Sequence, residues 1–187
     1  MQSSTRLAYG SWPSPISAQS LVAGVSTISG IFTDGDDIWW AESRPDEGGR
    51  TAIMLYQKDG QPREVTPPDA NVRSRVHEYG GGAWFVADGS LYYVEFQDQR
   101  IRRISAEGQI DLLTPESPEN QSWRFADGRI MPDGESIVCI REVHYHIDDE
   151  TVLEPDNQIV SIPTDGSLEI KELVVGADFY AFPRPSP

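Results

Sequence analysis

The chain lacks the signatures of a self-contained hydrolytic or nucleotide-using enzyme. It contains no Gly-x-Ser-x-Gly nucleophile elbow, and none of its three histidines stands in a recognisable nucleophile–base pattern. No catalytic residue is therefore assigned. Gly80-Gly81-Gly82 is rich in glycine but lacks the Gly-x-x-x-x-Gly-Lys pattern, and it opens an aromatic run rather than a helix, which argues against a nucleotide site; no cofactor is assigned. Cysteine is nearly absent: Cys139 stands alone inside the apolar run at 136–140, where it reads as a small buried hydrophobe with no disulfide to make. Basic residues are few, with 15 Lys and Arg against 30 Asp and Glu, a net charge of −15. Such a surface repels phosphate backbones and anionic bilayers, which argues against nucleic-acid and membrane partners. There is neither a signal-peptide-like apolar stretch near Arg6 nor a run approaching a membrane span, so a cytoplasmic location is the default expectation.

What the chain does have is a repeated strand-turn-strand unit rich in aromatic and β-branched residues. The first unit carries Asp34-Gly35, Ile38-Trp39-Trp40, Ile53-Met54-Leu55-Tyr56, Asp59-Gly60 and Val65-Thr66-Pro67. The second follows the same order with Ala83-Trp84-Phe85, Asp88-Gly89, Leu91-Tyr92-Tyr93-Val94, Glu107-Gly108 and Leu112-Leu113-Thr114-Pro115. A looser third has Asp127-Gly128 and Asp133-Gly134 about its first turn, then Ile137-Val138-Cys139-Ile140, Ile159-Val160-Ser161-Ile162, Asp165-Gly166 and Leu173-Val174-Val175. Asp-Gly supplies the positive φ of a tight hairpin turn, while branched and aromatic side chains suit a pleated surface. The glycine landmarks recur at roughly 45 to 60 residues, as expected for four-stranded propeller blades. The expected fold is all-β, a partial β-propeller of about three four-stranded antiparallel blades plus the start of a fourth; a β-sandwich with meandering strands is the alternative. The blades are placed at about 28–70, 71–118 and 119–176, with the next opening at 177–187. Residues 1–27 form an amino-terminal arm, since Pro13 and Pro15 forbid regular helix or central strand there. The arm is expected to be extended and to lie on another surface.

The stretch Val72-Arg73-Ser74-Arg75-Val76-His77-Glu78-Tyr79-Gly80-Gly81-Gly82-Ala83-Trp84 sets charged and titratable groups before three glycines and a strand. If residues 81–86 form the innermost strand of their blade, the preceding loop lies at one mouth of the channel. Arg75, His77 and Glu78 would then face that space as candidate substrate-binding residues, Arg75 for a carboxylate or carbonyl and Glu78 for an amine. The alternative is that they pair with one another and tie neighbouring blades. His144-Tyr145-His146 with Asp148-Asp149-Glu150 has the composition of a metal site but no diagnostic spacing, and Asp34-Gly35-Asp36-Asp37 lacks the closing Glu of a calcium loop, so no metal is assigned.

Four blocks in order resemble the amino-terminal half of bacterial prolyl oligopeptidase family serine peptidases, in particular the dipeptidyl aminopeptidase and acylaminoacyl-peptidase-like enzymes. They are Tyr9-Gly10-Ser11-Trp12-Pro13-Ser14-Pro15-Ile16, Trp39-Trp40-Ala41-Glu42-Ser43-Arg44-Pro45, the block from Asn71 to Trp84, and Gly176-Ala177-Asp178-Phe179-Tyr180-Ala181-Phe182-Pro183-Arg184. The resemblance implies a propeller that covers a separate α/β-hydrolase domain bearing Ser, Asp and His, filters substrates by size, and receives the arm on the hydrolase. No hydrolase sequence is present in this chain, so no catalytic residue transfers and the chain alone is expected to be inactive. Arg141-Glu142-Val143-His144 departs from the Arg-Glu-Asp-His often found in the family, which weakens any polar role for that loop.

Two classes of function follow. In the first, the chain is the non-catalytic propeller segment of a serine peptidase, gating or orienting peptide or acyl-amino-acid substrates for a carboxy-terminal α/β-hydrolase partner. In the second, it is a truncated or stand-alone binding or assembly module that self-associates through exposed blade edges.

Overall fold

The computed structural model describes residues 7–22, 26–145 and 154–186. It is all-β apart from α1 (Ala18–Val22) and a single 3-10 turn at Pro45–Glu47. The first sheet holds β1 (Thr27–Asp34), β2 (Asp37–Arg44), β3 (Arg50–Tyr56) and β4 (Arg63–Glu64). A second holds β5 (Trp84–Ala87), β6 (Ser90–Val94), β7 (Ile101–Ile104) and β8 (Ile110–Leu112). The third holds β9 (Trp123–Ile130), β10 (Ser136–Val143), β11 (Asp156–Pro163) and β12 (Lys171–Val175). Every sheet is an antiparallel meander in chain order, and β5 lies against both β1 and β9, so the first strand of each sheet is the innermost. This is a partial β-propeller.

The hairpins form where Asp-Gly predicts them. Asp88 and Gly89 have φ of 49° and 72° and join β5 to β6 in a two-residue turn, a conformation glycine reaches without steric cost. Asp127-Gly128, expected beside a turn, instead lies inside β9: the register with β10 shifts between Val138 and Ile140, and Asp127 has φ 58°. It is a β-bulge, which re-aims the Asp127 side chain toward the axis. Gly128 is required by contact as well, because a Cβ there would sit 2.6 Å from the Phe85 ring.

Alternation along the strands builds two large cores, beside a small cluster of Val76, Ala126 and Ile140. On β6, Leu91 and Tyr93 enter the core shared with Trp39, Ile53 and Leu55 of the first sheet, whereas Tyr92 and Val94 enter the core shared with Phe125, Ile137 and Val160 of the third. Successive strand residues point to opposite faces, so a blade buried on both sides must be apolar without interruption. Cys139 is buried in the second core as a free thiol, and burial pushes its pKa far above the ordinary thiol value.

Each Thr-Pro pair closes its blade by the same device. The main-chain N–H of Ile53 donates to Thr66 Oγ1 at 3.1 Å, and that of Ile101 to Thr114 Oγ1 at 3.0 Å. The residue before each Thr continues the ladder, with Val65 N–H bonded to Ile53 O and Leu113 N–H to Ile101 O. The buried hydroxyl thus replaces the carbonyl that the departing chain cannot offer.

The outer faces are uncovered. Ile28 and Ile31 of β1 and all of β12 are exposed, including Leu173, Val174 and Val175. Residues 7–22 of the arm are exposed throughout their described side chains, Tyr9, Trp12, Ile16 and Leu21 among them, and the arm ends in the short helix α1. Residues 177–186 join no sheet among the described residues, and 179–182 line the cavity at the inner strands.

Thr66→Val and Thr114→Val keep the shape but leave a buried main-chain N–H without an acceptor, so each should cost about 1–3 kcal/mol. Urea unfolding midpoints of the purified variants check this.

Candidate functional site

The innermost strands and the segments entering them border an open cavity of about 950 Å³. Its wall includes Gly30 of β1, Asp127 of β9, residues 72–75 and 77–84, and residues 179–182. Asp127 fastens this wall. Its Oδ1 accepts the Gly82 N–H at 2.7 Å, its Oδ2 accepts the Phe182 N–H at 3.2 Å, and its own N–H donates to Gly82 O at 2.8 Å. A side chain at residue 82 would place a Cβ 2.7 Å from that carboxylate, and one at residue 81 would meet Ala126 Cβ at the same distance. The glycines before β5 thus serve close approach between two blades.

Arg75, His77 and Glu78 all line this cavity. Among the described residues their side chains do not pair with one another. The turn that presents them is left-handed at His77 and Glu78, with φ of 57° and 63°, and is held by Glu78 N–H to Arg75 O and Gly80 N–H to Val76 O. Two adjacent non-glycine residues in that region carry strain that the surroundings must offset. Those surroundings come from the third sheet.

Glu142 of β10 is 1% exposed, and its Oε1 accepts the His77 main-chain N–H at 2.8 Å. The same oxygen stands 2.8 Å from His77 Nδ1 without hydrogen-bond alignment, while Oε2 lies 3.0 Å from His144 Nε2. Burial acts to raise the Glu142 pKa, but the His144 hydrogen bond, the His77 N–H and the two imidazoles outweigh it, holding the carboxyl below its ordinary value. Strand alternation sets Glu142 and His144 on one face and Val143 on the other, so Val143 does not prevent a polar role for this segment. Glu78 is 78% exposed and forms a 2.6 Å ion pair with Arg124 of β9, whose hydrogen bond lowers the Glu78 pKa. Arg124 also donates to Arg75 O at 3.1 Å. The His77 ring lies 5.1 Å from Phe179 and 5.8 Å from Tyr79, giving the mouth an aromatic rim.

Sequence reasoning did not select Arg124, Glu142 or Asp127 as site residues. Each lies 45 to 65 positions from its partner, and only the repeat length offered a signal, by bringing equivalent strands of adjacent blades together. Of the metal-like segment, His144 is engaged by Glu142; His146 and Asp148, Asp149 and Glu150 lie outside the described residues.

Comparison with solved structures supplies the relationship. A Mycobacterium tuberculosis puromycin-hydrolyzing peptidase superposes with a TM-score of 0.84 at 38% identity, over 97% of this chain and 29% of that one. The chain resembles the propeller part of a prolyl oligopeptidase family peptidase. A puromycin hydrolase matches with a TM-score of 0.76 at 28% identity over 92% of this chain and 28% of its own, and a puromycin hydrolase mutant complexed with PGG matches with a TM-score of 0.75 at 28% identity over 90% and 27%. The chain therefore spans under a third of the length of these peptidases. No family model matches the sequence, and no curated protein does. No described helix is long and apolar enough to cross a membrane.

Because its folded pKa is lowered, Glu142 contributes stability that is full above its unfolded value near pH ~4.3 and is lost as pH falls through the lower folded value. Glu142→Gln should cost about 1–3 kcal/mol near neutrality and flatten this acid limb. Denaturant unfolding from pH 7 to 3 reads both effects.

Proposed function

We propose that this chain is the non-catalytic propeller segment of a serine peptidase, gating or orienting substrates for an α/β-hydrolase domain elsewhere in a longer protein. The observation that carries the reading is the 97% coverage of this chain by 29% of a puromycin-hydrolyzing peptidase, together with a cavity whose mouth displays Arg75, His77 and Glu78. The substrates are short peptides or acylated or amidated amino acids, of the dipeptidyl aminopeptidase and acylaminoacyl-peptidase type, with puromycin among the candidates. Glu78 holds a substrate amine and Arg75 a carboxylate or carbonyl, while Glu142 and Arg124 position the turn that bears them. The hydrolase supplies the Ser, Asp and His; this segment supplies the filter. Cytoplasmic residence is part of the same proposal.

In a longer protein containing this segment, Glu78→Gln should raise KM roughly tenfold for substrates with a free amino terminus, since a charge-assisted hydrogen bond is lost. N-acylated substrates should be unaffected. Unchanged KM and kcat for both classes would make Glu78 a blade-tying residue only.

The uncovered Ile28, Ile31, Leu173, Val174 and Val175 favour a second reading, a module that associates with further copies of itself through its end blades. Sedimentation of the purified chain should then show oligomers that dissociate when Val174→Lys is introduced; a stable monomer would rule this reading out.

A further inference from the structure

Arg73 and Arg75 are set two residues apart on an extended segment, so both side chains leave on the same face while Ser74 turns inward to donate to Phe125 O at 2.7 Å. Both guanidiniums lie over the ring of Phe96, at 4.7 Å and 4.5 Å from its centroid. All three residues line the axial cavity. The third arginine of this region, Arg124, is engaged by Glu78 and by Arg75 O. Arg73 and Arg75, by contrast, have no carboxylate within ion-pair distance and donate no side-chain hydrogen bond among the described residues. Two arginines on one ring without an acidic partner among the described residues run against the composition of a chain with 30 acidic residues.

The backbone beneath them is built and locked. Gln99, fully buried, accepts the Arg75 N–H at 2.8 Å through Oε1 and directs Nε2 to Phe96 O at 3.0 Å and Arg73 O at 3.5 Å. Phe96 N–H donates to Asn71 O at 2.9 Å and Arg73 N–H to Val94 O at 3.2 Å. One buried amide therefore holds both arginine backbones and the ring they share. Cation–π contact restrains each guanidinium against the ring, so less freedom remains to be lost when an anion arrives.

We infer that Arg73 and Arg75, stacked on Phe96, form a receptor for the terminal carboxylate of a short peptide entering the cavity. The chemistry fits a carboxylate, whose oxygens accept charge-assisted hydrogen bonds from guanidinium N–H groups. The inference rests on the reading of this mouth as substrate-facing and adds Arg73 and Phe96 to it, with a free carboxyl terminus as the feature recognised.

The test uses the purified chain, with trialanine and trialanine amide as probes in equilibrium titrations followed by NMR at physiological salt. Trialanine should bind roughly tenfold or more tightly than its amide, the difference expected for charge-assisted hydrogen bonds. The preference should vanish in Arg73→Gln/Arg75→Gln and shrink in Phe96→Leu, which keeps both charges but removes the ring; matching melting curves show that the variants fold. Equal affinity for peptide and amide overturns the carboxylate receptor while leaving a substrate-facing mouth standing. Absence of binding by either probe overturns both. A preference that survives the double substitution overturns the assignment to these arginines, and displacement of trialanine by an equal concentration of acetate overturns recognition of a peptide.

Discussion

The contact on which the rest depends is the burial of the middle sheet on both faces. With Leu91 and Tyr93 turned to the first sheet and Tyr92 and Val94 to the third, β6 fixes the spacing of all three blades at once. Phe85 stacks on Tyr92 with rings 4.7 Å apart and nearly parallel, extending the same contact to the inner strand. Face-to-face apolar contact of this kind is insensitive to salt and pH, so it can carry a surface of high net negative charge whose self-repulsion opposes compactness.

Once the blades are spaced, the inner strands approach closely enough for polar groups to finish the axial wall. The bulge in β9 turns Asp127 onto Gly82 and Phe182, and β10 carries Glu142 beneath the turn at 76–79. Both carboxylates accept main-chain N–H groups from segments that lack sheet partners of their own. This accounts for how a loop with left-handed His77 and Glu78 stays ordered: buried acceptors, absent from the unfolded chain, offset the local backbone cost.

The relationship to puromycin-hydrolyzing peptidases agrees with this construction. A propeller segment needs no catalytic constellation to matter for a peptidase; it needs a rigid mouth with chemically selective groups. Here the buried Gln99, Asp127 and Glu142 hold the wall, and the exposed Glu78, Tyr79 and Arg73 stand around them.

Much of the architecture was legible from the chain. Repeated Asp-Gly and Thr-Pro landmarks, with aromatic runs between them, specify local turns and strands because positive φ and pleated packing act over a few residues. Thus the four-strand units and the buried Cys139 needed no coordinates, and the stretch around Arg75, His77 and Glu78 stood out by composition. Yet Asp127-Gly128 reads as a turn in sequence and is a bulge in the fold, since the same local geometry serves both and only the partner strand β10 distinguishes them. Likewise the partners of the candidate residues, Glu142 for His77 and Arg124 for Glu78, were decided by tertiary structure alone. Those pairs join different blades, and which carboxylate meets which turn depends on sheet spacing and strand register, quantities set by the summed burial of two cores rather than by any local run of residues.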